Sequence, residues 1–118
     1  MEKQQSTLVS PAEAVQGFLQ ALNEDDFDTA RQYLADDFTF VGVLGTRNGA
    51  EVYMQDMKKM KFKYQVKKLF VQDQDVSVFY DINMGEVVIF AAGWYKVGKD
   101  GIKSLNVIFD PRPVLAKS

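Results

Sequence analysis

The stretch Lys61-Phe62-Lys63-Tyr64-Gln65-Val66-Lys67-Lys68-Leu69-Phe70-Val71 is where the chain changes its hydrophobic period. Phe62, Tyr64 and Val66 alternate with Lys61, Lys63, Gln65 and Lys67, the pattern of a strand with one wet face. The adjacent pair Lys67-Lys68, followed by Leu69 and Val71, reverses the phase and predicts a bulge. Downstream, strands are predicted at 76–84, 86–97 and 102–110. Turns at 72–75, at Gly85 and at Gly98-Lys99-Asp100-Gly101 separate them, and Pro111 and Pro113 end the sheet.

Upstream of residue 61 the period is helical. Ser10-Pro11-Ala12-Glu13 carries a capping residue, a proline suited to the first helical position and the glutamate of a capping box. Val15, Phe18, Leu19 and Leu22 then fall on one stripe. Asn23-Glu24-Asp25-Asp26 breaks this helix and caps a second, expected over 27–35 with Phe27, Ala30 and Leu34 inward. The acids at 24–28 read as caps and dipole partners rather than as a metal site. A short strand over 38–44, closed by Gly45-Thr46-Arg47-Asn48-Gly49, leads to a third helix over about 49–60 with Val52, Tyr53, Met57 and Met60. Helices first and a meander after is an α+β layout, three helices covering one face of a curved, mostly antiparallel sheet.

At 118 residues and 13.4 kDa the chain has room for one core, expected over 10–111 between a flexible 1–9 segment and a 112–118 tail. An apolar share of 47% with 25% charged residues excludes disorder as a class. Fourteen basic against sixteen acidic residues, a net charge of −2, argue against a nucleic-acid partner. The lysines at 58, 59, 61, 63, 67 and 68 read as solvated faces, because the interleaved aromatics point to the opposite side. The absence of cysteine and histidine removes thiolate and imidazole chemistry and zinc-thiolate sites, so no metal and no cofactor is expected. Any catalysis must use carboxylates, tyrosines, lysines or amides. The longest apolar run, Val87 to Tyr95, is about half of what a membrane span needs, and the first residues lack a signal-peptide pattern. A cytoplasmic protein without a membrane partner is expected.

Phe18-Leu19-Gln20-Ala21-Leu22-Asn23, Leu34-Ala35-Asp36-Asp37-Phe38 and Gly98-Lys99-Asp100-Gly101-Ile102, in this order, resemble the nuclear transport factor two-like superfamily. That group includes SnoaL-like polyketide cyclases, ketosteroid isomerases and limonene epoxide hydrolases. The resemblance spans about 10–111 and implies a cone of sheet wrapped on three helices, a cystatin-like architecture with a pocket between them. Ketosteroid isomerases use a helix tyrosine, a base and a protonated sheet acid. By resemblance these fall on Phe18, Gly42 and Ala92, so all three polar groups are missing. The Asp-Arg-Asp set of the epoxide hydrolases is unsupported as well, since no arginine lies between residue 60 and Arg112.

The same correspondence implies that Phe79, Asp81 and Asn83, then Val88, Phe90, Ala92 and Trp94, then Leu105, Val107 and Phe109 look into the cone. Val78, Tyr80, Ile82 and Met84, with Val87, Ile89, Ala91 and Tyr95, would then form an outer apolar face on which a homodimer could build. The expected protein binds a small apolar or carbonyl-containing molecule through Phe18, Phe79, Asn83, Phe90, Trp94 and Phe109. Asp81 would be its catalytic acid or base in an isomerase or cyclase reaction. The alternative is a non-catalytic dimerisation or ligand-sensing module whose cone is filled by its own aromatics. In that case Asp81 would be structural, bonded to Tyr33, Tyr53 or Arg47. Cavity volume separates the two.

Overall fold

A computed structural model describes residues 10–116; the segment 1–9, expected to be flexible, lies outside the described residues, as do 117 and 118. Helix α1 (Pro11–Asn23) starts on the capping box. Ser10 Oγ accepts from the Glu13 amide at 3.1 Å, and the Ser10 amide donates to Glu13 Oε1 at 3.1 Å. In α2 (Phe27–Gln32) the Asp26 carboxylate accepts from the Thr29 amide at 3.2 Å, and Asp25 meets Lys63 Nζ at 2.6 Å. The acidic cluster therefore caps a helix and pairs with a lysine. Among the described residues no group of three or more acids, histidines or cysteines is arranged to hold a metal ion.

Helix α2 stops earlier than its apolar spacing implies. Leu34 and Ala35 are already in strand β1 (Leu34–Val41) and are buried there. The segment read as a turn contains a short strand, β2 (Thr46–Asn48), which pairs back on β1. Helix α3 (Ala50–Met60) ends on Lys61 in the left-handed conformation. Strands β3 (Lys63–Gln72), β4 (Asp75–Asn83), β5 (Val88–Gly98) and β6 (Gly101–Phe109) form the meander, and a short helix α4 (Arg112–Ala116) follows where a plain tail was expected. The predicted bulge is a register shift of β3 against β4 between Val66 and Lys68.

The strands make one six-stranded sheet in the order β2-β1-β6-β5-β4-β3. Only β1 and β6 run parallel. Their junction depends on Gly101, which has φ +123°, and a Cβ there would stand 2.7 Å from the Tyr33 carbonyl oxygen. Glycine alone accepts both the backbone angle and the contact. The result is an α+β fold of helices on a curved mixed sheet.

Helices α1 and α3 bury Val15, Phe18, Leu19, Leu22, Tyr53 and Met57 against the inner sheet face. That face carries Val76, Val78, Tyr80 and Ile82 of β4 and Ile89, Ala91 and Tyr95 of β5. Leu105, Val107 and the partly buried Phe109 of β6 look inward as expected. The faces of β4 and β5 are therefore the reverse of the expectation. Phe79, Asp81, Asn83, Val88, Phe90, Ala92 and Trp94 belong to the outer face, with Phe79, Phe90 and Trp94 exposed by 37%, 59% and 50%. A strand's side chains alternate with a period of two, so an offset of one residue turns every one of them over. No helix among the described residues is long and apolar enough to cross a membrane.

Candidate functional site

Between the helices and the inner sheet face lies a cavity of about 320 Å³. This is the low end of the range of roughly 300–1,000 Å³ that small-molecule sites occupy. Phe18 of α1, Met57 and Met60 of α3, Ile82 of β4, and Leu105 and Val107 of β6 line it with apolar surface. Val43 and Leu44 of the β1–β2 turn, largely exposed, stand at its mouth together with Val114 of α4. The turn is closed by a bond from the Gly42 amide to the Gly45 carbonyl at 2.8 Å.

The polar groups of the cavity are two kinds. At the mouth Arg47 Nε donates to Asp56 Oδ2 at 2.6 Å, their side chains 44% and 24% exposed. Deeper in, four tyrosines from four elements converge: Tyr53 of α3, Tyr64 of β3, Tyr80 of β4 and Tyr95 of β5. The Tyr80 and Tyr95 hydroxyls share a hydrogen bond of 2.8 Å. The Tyr64 hydroxyl donates to Met57 Sδ at 3.7 Å, and its ring lies 5.5 Å from that of Tyr80. Burial pushes all four phenols above their ordinary value of 10.0, and mutual repulsion between the phenolates would add to this for Tyr53, Tyr64 and Tyr95. They are neutral hydrogen-bonding groups at every physiological pH.

Neighbours hold these rings in position. Asn23 at the end of α1 grips the backbone of Tyr64 twice: its Nδ2 donates to the Tyr64 carbonyl at 2.8 Å, and its Oδ1 accepts from the Tyr64 amide at 2.7 Å. Phe38 and Phe40 of β1 pack on Tyr53 with ring centroids at 5.0 and 5.1 Å. Gly93 of β5 leaves the space that Tyr80 uses, since a Cβ there would stand 2.4 Å from the Tyr80 hydroxyl oxygen. The pair of hydroxyls thus exists because β5 carries no side chain between Ala91 and Tyr95 on its inner face.

Of the residues expected to form the site, Phe18 and Phe109 line the cavity. Asp81 does not. It lies on the outer face, its partner is Lys67 Nζ at 3.5 Å rather than Tyr33, Tyr53 or Arg47, and it is not among the residues that line the cavity. Asn83 accepts from the Gly85 amide at 2.8 Å and so shapes the turn after β4. Phe79 and Phe90 stack on the outer face with centroids 6.2 Å apart. Trp94 sends its indole N–H to Asp75 Oδ1 at 2.9 Å, which together with Lys96 holds that carboxyl below the usual carboxylate range. The four tyrosines, Arg47 and Asp56 were missed as site residues. The alternation within 76–83 carried the signal, because Val76, Val78, Tyr80 and Ile82 are the apolar set opposite Ser77, Asp81 and Asn83.

Two of the three positions inferred from the ketosteroid isomerases, Phe18 and Gly42, do line the cavity, and neither carries a polar side chain. Ala92 is on the outer face, and its inward neighbours Ala91 and Gly93 supply no acid either.

Comparison with curated proteins finds no match. Among solved structures, an NTF2-like protein of unknown function from Cytophaga hutchinsonii is 47% identical, with 91% of this chain and 96% of that chain covered and a TM-score of 0.89. An LEH-like epoxide hydrolase of M. tuberculosis shares the fold at 22% identity, covering 87% and 84% with a TM-score of 0.77. An uncharacterised cystatin-fold protein from Novosphingobium aromaticivorans does so at 18% identity, covering 84% and 97%, again with a TM-score of 0.77. A family model for the SnoaL-like domain matches residues 15–103, most of the described fold and most of the elements that build the cavity, and the chain belongs to that SnoaL-like family.

Proposed function

We propose that this SnoaL-like protein binds a small, largely apolar molecule in the cavity between its helices and its sheet. The observation that carries this reading is the cavity itself, about 320 Å³ of space lined mainly by aromatic, aliphatic and methionine side chains. A cone filled by its own aromatics would leave no such space; here Phe79, Phe90 and Trp94 stand outside it. Acid–base chemistry in the cavity falls to Asp56, the carboxylate among its lining residues, and not to Asp81. Methionine-methyl NMR tests the binding. Met57, Met60 and Met84 line the cavity, whereas Met54 is buried away from it. Titration with tetralin, an apolar bicyclic probe, is expected to move the first three signals and leave Met54 nearly still. No movement at saturating probe overturns the proposal.

The second part of the proposal is a homodimer joined through the outer sheet face. Phe70, Val88, Phe90, Trp94 and Ile108 are each at least half exposed on the strands β3, β5 and β6. Phe79 bridges Phe70 and Phe90, with ring centroids at 6.2 Å to each. A contiguous apolar patch of this kind is costly in water and marks an association surface. These are not the residues expected to form the interface, and the reversal strengthens the case, because it leaves Phe90 and Trp94 of β5 exposed to a partner. Light scattering at micromolar concentration should give twice the 13.4 kDa chain mass, and Phe90→Lys should return the monomer. A 13.4 kDa species for the unmodified protein removes the dimer without touching the cavity.

A further inference from the structure

The turn between β1 and β2, Gly42-Val43-Leu44-Gly45, carries two apolar side chains where turns ordinarily carry polar ones. Val43 and Leu44 are 41% and 56% exposed, and Met60 at the end of α3 is 45% exposed. All three line the cavity, as do the partly buried Phe62 and Val114, so the rim of the opening is apolar and wet. Next to Met60 in the chain stand Lys58, Lys59 and Lys61, all exposed. Among the described residues none of these three side chains forms an ion pair, unlike Lys63, which meets Asp25 at 2.6 Å. At this end of the molecule Asp56 is matched by Arg47 and Asp110 by Arg112, at 2.6 Å each. Even with Glu86, in the turn after β4, set against them, the three lysines leave this end positive in a chain of net charge −2.

We infer that the mouth of the cavity is a peripheral docking surface for an anionic lipid bilayer. Val43, Leu44 and Met60 enter the boundary between headgroups and acyl chains, and Lys58, Lys59 and Lys61 meet the lipid phosphates. Lysine suits this place, because its stem lies along apolar surface while its ammonium stays with the polar headgroups. A protein partner fits less well, since lysine is depleted from protein–protein interfaces. The contact is peripheral and needs no membrane-spanning helix. Its purpose rests on the cavity reading proposed above: a mouth seated on the bilayer opens the cavity onto the hydrocarbon in which an apolar ligand dissolves. The docking itself is measured with no cavity ligand present.

The test is co-sedimentation of the full-length protein with vesicles of equal parts phosphatidylglycerol and phosphatidylcholine, against vesicles of phosphatidylcholine alone. The protein is expected to sediment with the first, more weakly as salt is raised, and far less with the second. Lys58→Gln/Lys59→Gln should weaken binding about thirtyfold, each lysine near an anionic surface being worth about a factor of five. Leu44→Asp should weaken it about tenfold or more, by removing an apolar side chain from the contact and adding a like charge. Protein left in the supernatant with the anionic vesicles overturns the proposal and leaves the rim to a protein partner. Equal binding to both vesicles, or unchanged binding by Leu44→Asp, overturns it as well. Nanodiscs of the same lipids doped with spin-labelled phosphatidylcholine locate the contact without any variant. The Met60 methyl signal should broaden, while the Trp94 indole signal, from the outer sheet face, should not. The reverse pattern places the outer face on the lipid and overturns the proposal. Vesicle binding is measured without tetralin and tetralin binding without vesicles, so failure of one leaves the other standing.

Discussion

Above about pH 10 the protein is expected to unfold in one cooperative step that releases Tyr53, Tyr64, Tyr80 and Tyr95 together. Burial is the largest cause of the raised pKa of each phenol in the folded state. In the unfolded chain they ionise near the ordinary value of about 10. Below that value both states hold the protons, and the stability these groups contribute is fully present. As pH rises further the unfolded state loses protons that the folded state keeps, so unfolding becomes more favourable. Each phenol adds up to about 1.4 kcal/mol per pH unit, and the set up to about 5 kcal/mol per unit. A domain stability on the order of 10 kcal/mol is then exhausted within about two pH units. Tyrosinate absorbance and far-UV circular dichroism, followed through an alkaline titration, should change at the same pH. Ionisation of all four phenols near pH 10 with the dichroism intact contradicts the buried arrangement.

Phe18→Ala is expected to be the most damaging single truncation near the site, costing about 3–5 kcal/mol. Phe18 is 1% exposed and sits where α1 meets the inner sheet face, touching both the core and the cavity. Removing its ring forfeits the transfer free energy of the side chain. It also leaves a void that opens into existing empty space, so the surroundings have little drive to collapse onto it. The midpoint of thermal unfolding should fall by roughly 10–20 °C. The same truncation enlarges the cavity, so saturating tetralin should recover part of the loss by binding the folded state alone. A fall of only a few degrees would show that Phe18 is peripheral to the core.

The local devices of this fold follow from short-range chemistry and are legible in the chain by itself. The Ser10–Glu13 capping box, the stripe of Val15, Phe18, Leu19 and Leu22, the bulge at Lys67 and the turn between Gly98 and Gly101 each depend on a few neighbouring residues. Together they dictate helices followed by a meander, and with the quoted motifs they identify the family. Strand β1 was only partly legible, because Leu34 and Ala35 continue the apolar spacing of α2. Their strand conformation comes from pairing in parallel with β6, a partner almost seventy residues away.

Which face of β4 and β5 meets the helices was decided by tertiary structure. The run from Val88 to Tyr95 is apolar on both sides, so hydrophobicity carries no sign there. The resemblance to family members, displaced by one residue, chose the wrong side. The strand β4 alone alternates clearly enough to give the right answer, and its hydrogen-bonded register then passes that answer to β5: Tyr80 faces Ala91 and Ile82 faces Ile89. The outcome separates aromatic rings of similar hydrophobicity into two roles. Tyr80 and Tyr95 enter the cavity, where each hydroxyl finds the other, while Phe90 and Trp94 remain outside. Composition and local pattern therefore determined that this chain is an α+β domain with a SnoaL-like core. The site required the folded sheet, because four tyrosines spread over residues 53 to 95 become one polar cluster only when three strands and a helix bring them together.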